Sequence, residues 1–147
     1  NQMKKILFYS VLFLAATVQN VYSQTTVLGK WKTIDDETGA SKSVVEIYET
    51  GGKIYGKVVQ VLEKGKEDKL CDQCKGDKKN KPIKGMVIID GLTKNDKEWD
   101  GGKILDPKSG KEYKCVISLE NDNKLKVRGY VGISLLGRTQ YWTRIKD

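Results

Sequence analysis

Two cysteines three positions apart, Cys71 and Cys74, lie in the lysine-rich, glycine-broken stretch KLCDQCKGDKKNKP (residues 69–82), and Cys115 is the third and last thiol of the chain. A Cys-x-x-Cys pair supports three kinds of chemistry: half of a zinc site, a redox dithiol, or a structural disulfide. Zinc usually takes four Cys and His ligands, whereas this chain offers three thiols and no histidine, so a metal clasp would have to recruit Asp72 or Asp77. A thioredoxin-like dithiol needs the mouth of a helix to stabilise its thiolate. Here the flanking segments read as strands, and only Lys69 and Lys75 stand near enough in sequence to lower a thiol pKa. A staple is the expected use, either Cys71 with Cys74 or one of them with Cys115. The sequence leaves that pairing open, and no metal or cofactor is expected.

The absence of histidine also removes Ser-His-Asp and Cys-His catalysis and the commonest acid–base group. Asp35, Asp36, Glu37 and Asp106 read as turn formers rather than as a paired-carboxylate site, and no glycine loop stands between a strand and a helix to cradle phosphate. The chain is expected not to be an enzyme. Arginine is the more selective signal. Against 24 lysines there are three arginines, Arg128, Arg138 and Arg144, all within the last 20 residues. Strand alternation puts Arg138, Gln140, Trp142 and Arg144 on one face and Arg128 with Tyr130 on a face of the preceding run. An arginine beside Trp142 suits a cross-strand or cation–π role in closing a barrel. Its planar fork of donors also suits a carboxylate or phosphate on a ligand.

The elements that would position these residues are short β-rich runs separated by turn chemistry. Eight are predicted, at 27–34, 43–49, 53–62, 85–91, 97–105, 112–120, 124–131 and 138–146. Gly51-Gly52 suits a tight hairpin that needs positive φ. Asp106-Pro107 opens a turn that Gly110 closes, and Asn121–Asn123 makes another. In the sixth run Tyr113, Cys115, Ile117 and Leu119 share a face; in the seventh Leu125, Val127, Gly129 and Val131 do. GMVIIDG is apolar on both faces, as for a strand covered on both sides. Eight strands of this length suit an all-β fold, either an eight-stranded antiparallel barrel or a sandwich, with one long loop at about 63–84 that carries the cysteine pair. VGISLLG (131–137) reads either as continued strand or as a brief helical turn.

Ahead of these runs, Lys4 and Lys5 precede an apolar stretch from Ile6 to about Val18, and small residues end at Ser23. This is the pattern of a secretory signal peptide over residues 1–23, with Asn1 and Gln2 as two extra leading residues, and it leaves a single domain at 24–147. The expected location is periplasmic or secreted, with no stable membrane insertion once the signal is removed. The formal charge of +8 arises from 27 basic residues interspersed with 19 acidic ones rather than gathered in a stripe, which argues for a solvated surface and against nucleic acid as partner.

GKWKTIDDETG, EIYETGGKIYGKV, CDQCKGD, KPIKGM, GGKILDPKSGKEYKC and KLKVRGYVGISLLGRTQYWTR together resemble a family of small exported bacterial proteins catalogued as domain of unknown function 2147. The resemblance spans about Gly29 to Arg144 and implies a lipocalin-like barrel; GKW is similar to the Gly-x-Trp that opens lipocalins. In those proteins the tryptophan packs beneath the barrel against a late arginine, which by resemblance implies Trp31 with Arg144 (or Arg138). The family implies no activity.

The leading expectation is therefore a lipocalin-like protein of the bacterial envelope that binds a small apolar or amphipathic molecule. Arg128 and Tyr130 would orient a polar head group, and Tyr48, Tyr55, Trp99 and Tyr113 would line the cavity if they face inward. Trp31, Arg138, Trp142 and Arg144 are the structural set. The alternative is a ligand-free envelope interaction module whose basic loop (Lys75, Lys78, Lys79, Lys81, Lys84) meets an acidic partner. A third reading has Cys71 and Cys74 in redox or metal handling. Oligomeric state is not legible.

Overall fold

Alternating apolar residues and glycine- or asparagine-bearing turns fold into eight antiparallel strands in the computed structural model, which describes residues 25–132 and 137–146. The segment read as a signal peptide, and most of the 131–137 stretch, lie outside the described residues. The strands are β1 (Gly29–Ile34), β2 (Ser41–Thr50), β3 (Lys53–Val61), β4 (Val87–Asn95), β5 (Glu98–Asp106), β6 (Lys111–Asn121), β7 (Lys124–Tyr130) and β8 (Gly137–Arg144). Each pairs with its sequence neighbours, and β1 pairs with β8 through Trp31 opposite Arg144, so the sheet closes as a barrel in simple up-and-down order. Closure leaves no edge strand exposed.

The up-and-down order makes the two ends of the barrel different. At one end the connections are tight hairpins. Gly51 and Gly52 turn at φ 60° and 77°, as their sequence requires, Asp96 turns at φ 56°, and Asn121 Oδ1 accepts the Asn123 amide at 2.9 Å. At the other end lie the 35–40 turn, residues 62–86, the 107–110 turn, the end of β7 at Tyr130 and the start of β8 at Gly137. Asp106 organises the third of these: its carboxylate accepts the Lys108 amide and the Ser109 hydroxyl, each at 3.0 Å, and Gly110 closes the turn at φ 71°.

Residues 62–86 are held as a folded flap rather than as a mobile tether. Cys71 N donates to Lys81 O at 2.7 Å, Asn80 N to Cys71 O at 2.8 Å and Ile83 N to Lys69 O at 3.0 Å, and Gly76–Lys78 make one 3-10 turn. Cys71 and Cys74 are joined by a disulfide, and Cys115 is the free, buried thiol. Both bridged cysteines are almost wholly buried, at 0% and 2% exposure. The flap docks on the β5–β6 turn, where the Gln73 carbonyl sits so close to Gly110 that no Cβ fits there. Beneath it lie Ile88 and Leu105. Both alternate with inward Ile89 and Ile104, which pair directly, so they occupy the outer face and are nevertheless buried. GMVIIDG is thus covered on both faces for a physical reason: barrel contents on one side, the stapled flap on the other.

Candidate ligand-binding site

Inward residues of the tight-turn end fill the barrel. Trp31, Val45, Ile54, Leu92 and Leu125 are fully buried and Ile117 nearly so. Trp31 is fixed on every side. Its indole Nε1 donates to Val27 O at 2.9 Å, and the Arg144 guanidinium stacks 4.2 Å from the ring centroid. That guanidinium also donates to Leu28 O at 2.9 Å, Asp122 O at 2.6 Å and Thr26 O at 2.5 Å, so one side chain ties the N-terminal segment, the β6–β7 turn and the last strand together. Of the two arginines considered for this role, Arg144 takes it. Arg138 lies at the opposite end, its Nε 2.9 Å from Asp36 Oδ2.

At the long-loop end the barrel is hollow. A cavity of about 720 Å³ opens there, with Thr33, Ser43, Val58, Ile104, Tyr113, Val127, Gly129, Gln140 and Trp142 on its strand walls. It continues over the β4–β5 rim to Ile83, Ile88, Leu105 and Pro107 beneath the flap. Gly129 helps to make the space: a Cβ there would meet Ile104 and Tyr113 at 3.4 Å, and a longer side chain would project into the opening. The volume suits a drug-sized molecule, and mostly apolar walls carrying a few polar groups are the usual composition of such a site.

The polar groups inside the cavity are neutral. Thr33 Oγ1 and Ser43 Oγ share a hydrogen bond at 2.7 Å, and Trp142 Nε1 donates to Gln140 Oε1 at 3.0 Å. Charges gather at the rim and are mixed in sign: Lys42, Lys66, Lys69, Lys108 and Arg138 against Asp35, Asp36, Glu37, Glu63 and Asp106. Three rim ion pairs form, Asp36–Arg138, Glu63–Lys66 at 2.9 Å and Glu37–Lys108 at 3.8 Å. The amides of Thr38 and Glu37 donate to the Asp35 carboxylate and hold its pKa below the ordinary value, which fixes it as an ionised turn former. A hydrogen bond from Lys66 to Glu63 raises the lysine's pKa.

The site residues expected from the sequence separate into groups. Tyr113 lines the cavity wall and Tyr130 borders the rim. Trp99 pairs with inward Ile117 but stands beside the β4–β5 hairpin, at the filled end. Tyr48 and Tyr55 pair across β2 and β3 next to inward Ile47 and Ile54, so they stack on the outside, ring centroids 5.8 Å apart. Arg128 is also on the outside, opposite Val116 and Thr139, and its Nη1 donates to Thr139 Oγ1 at 3.1 Å. Thr33, Ser43, Val127 and Gly129 were not singled out as ligand contacts from sequence. The alternation Trp31-x-Thr33 and Arg138-x-Gln140-x-Trp142 is the signal that places polar residues on the inner face.

The basic flap and the cysteines also take definite places. Lys78 Nζ donates to Val87 O at 2.9 Å and Lys79 Nζ to Asp72 O at 2.8 Å, so two of the five basic-loop lysines (Lys75, Lys78, Lys79, Lys81 and Lys84) serve the flap's own structure. With Cys71 and Cys74 bonded to each other, neither presents a thiolate. Cys115 points inward between Gly102 and Gly129, and burial pushes its pKa up to about 12, so it is an inert thiol at neutral pH.

Comparison with known proteins agrees with this architecture. Residues 29–144 match the family model described as an uncharacterised protein conserved in bacteria, domain of unknown function 2147. The chain belongs to this family. Protein HP1028 from Helicobacter pylori, described as belonging to the lipocalin family, superposes with a TM-score of 0.74 at 24% identity, over 84% of this chain and 85% of that one. The match establishes a lipocalin-like fold for this DUF2147 chain. Among curated proteins none matches.

Proposed function

We propose that this DUF2147 protein is a carrier or sensor that holds a small apolar or amphipathic molecule in the open half of its barrel, in the periplasm or outside the cell, without chemically altering it. The observation that carries the reading is the cavity itself. One half of the barrel is packed solid, while about 720 Å³ is left open behind a charged rim in the other. Empty space of that size costs packing energy that a purely structural barrel has no reason to give up. Its lipocalin-like fold is in keeping with a small-molecule site. The signal-like N-terminal segment and the Cys71–Cys74 bridge support an exported location, since disulfides persist in oxidising compartments. The lack of any histidine supports binding over catalysis.

The test is intact mass of the protein taken from its native compartment, measured under native and then denaturing conditions, without reductant or chelator. A surplus of a few hundred daltons that disappears on denaturation is the expected result and identifies the compound. A surplus matching a metal ion, or a barrel that neither carries nor takes up any apolar compound, would overturn the reading.

A further inference from the structure

The polar groups in the cavity are unevenly arranged around the barrel. Gln140, Thr33 and Ser43 come from β8, β1 and β2, three consecutive strands, and form a polar arc on one wall. The rest of the wall is lined by Val58 on β3, Ile104 on β5, the Tyr113 ring on β6 and Val127 on β7, the last paired directly with Gln140, and is largely apolar. Within the arc, donor hydrogens are left over once the internal hydrogen bonds have formed. The Trp142 indole N–H can only donate, so the Gln140 amide must present its oxygen to it, at 3.0 Å, and the NH₂ end is turned to the other side. No described residue accepts from that NH₂. Thr33 and Ser43 share one hydrogen bond at 2.7 Å, which engages one hydroxyl proton and leaves the other to find an acceptor. Both residues are nearly buried, at 5% and 9% exposure. Among the described residues no cation is hydrogen-bonded to these groups. The nearest along β8 is Arg138, at the rim, already paired with Asp36 and largely in solvent.

From this arrangement we infer that the occupant carries a neutral hydrogen-bond acceptor, a ketone, ester or amide carbonyl, which docks on the Gln140 amide and the Thr33–Ser43 hydroxyls while its hydrocarbon lies along the apolar wall. The inference rests on the cavity being the binding site. A pure hydrocarbon would displace water from the donors and leave them without partners. A carboxylate at this depth would lose its hydration with no counter-charge to offset the loss, so an anionic head would be held at the rim instead. A carbonyl meets the donors without bringing a charge inside.

The experiment is competition against the fluorescent apolar probe N-phenyl-1-naphthylamine by three matched compounds, 2-decanone, decane and decanoate at neutral pH, in the wild-type protein and in Gln140→Met. Thr33→Val is the second variant should loss of the Trp142 acceptor disturb folding. The expected result is that 2-decanone displaces the probe more tightly than decanoate. Either variant weakens 2-decanone about fivefold, one hydrogen bond's worth, and leaves decane unchanged. Tighter binding of decanoate, or variants that weaken ketone and alkane equally or not at all, would overturn the inference and leave the cavity as a binding site. A wild-type protein that takes up neither probe nor competitor would overturn the binding reading and this inference with it.

Discussion

The two ends of the barrel are built from the same strands and the same alternation, yet one is solid and the other hollow. At the closed end, three hairpins bring the strand ends together tightly. Large inward side chains fill the space, and the Trp31 indole N–H and each nitrogen of the Arg144 guanidinium have a hydrogen-bond partner. At the open end, longer connections hold the strand ends apart, and Thr33, Ser43 and Gly129 occupy inward positions where larger side chains would close the gap. The difference teaches that closure is decided by a few inward positions and the loop lengths above them, not by the strands. Stability should therefore concentrate at one end and binding at the other.

The largest expected break in that division is Trp31→Ala. Removing a fully buried indole that also anchors Arg144 should cost about 3–5 kcal/mol, read as a lower urea midpoint with an unchanged slope. A loss under ~1 kcal/mol would mean that the closed end is not the stabilising one. Arg144→Met keeps much of the side-chain volume but removes the cation over Trp31 and three bonds to backbone carbonyls. A loss of about 2 kcal/mol is expected, together with faster hydrogen exchange at the Asn123 and Leu28 amides.

The flap should respond differently from either end. The Cys71–Cys74 bridge closes a very short ring, so its entropic contribution is about 2 kcal/mol at most, and its main effect is to shape the cover over Ile88 and Leu105. Cys71→Ala/Cys74→Ala should lower stability by no more than that while raising proteolysis within 62–86. Cleavage that begins in the strands instead would contradict a locally docked flap. Cys115 gives a smaller, pH-dependent effect. Burial raises its pKa from an ordinary 9.0 to about 12, so the folded state keeps a proton that the unfolded state loses, and stability falls as pH rises from 9 towards 12. Cys115→Ala should remove about 1.4 kcal/mol of that decline by pH 10, measured as the difference between the two denaturation curves against pH. Smallest of all is the exposed Glu37–Lys108 pair. Lys108→Ala should shift stability by less than ~0.5 kcal/mol.

The strands and hairpins were legible because each depends on local chemistry, period-2 alternation and glycine or asparagine at turns, whereas the closure by Trp31 with a late arginine was legible through the family resemblance alone. The fold agreed at all eight strands, with ends displaced by at most a few residues. The cavity contacts were less legible, for three physical reasons. Alternation says that two faces differ but not which one is inner, so outward Arg128, Tyr48 and Tyr55 read as well as inward Tyr113. Bulges shift the phase, as at Val44/Val45 and between Trp99 and Gly102. Height along the barrel has no local signature, so inward Trp99 does not announce that it stands at the filled end. Small inward residues such as Gly129 and Ser43, which create the space, carry no chemical signal alone. They acquire meaning once their neighbours around the wall are known.

The most direct test of a barrel divided into a stabilising end and a binding end is Gly129→Val, titrated with N-phenyl-1-naphthylamine alongside wild type. The added methyl groups would enter the cavity beside Ile104 and Tyr113 without touching the closed end. The expected result is saturable one-to-one binding in wild type, weakened at least about tenfold, or ~1.4 kcal/mol, in the variant, with thermal stability unchanged or slightly raised. Equal binding by the two proteins would place the probe elsewhere and contradict the cavity as the site.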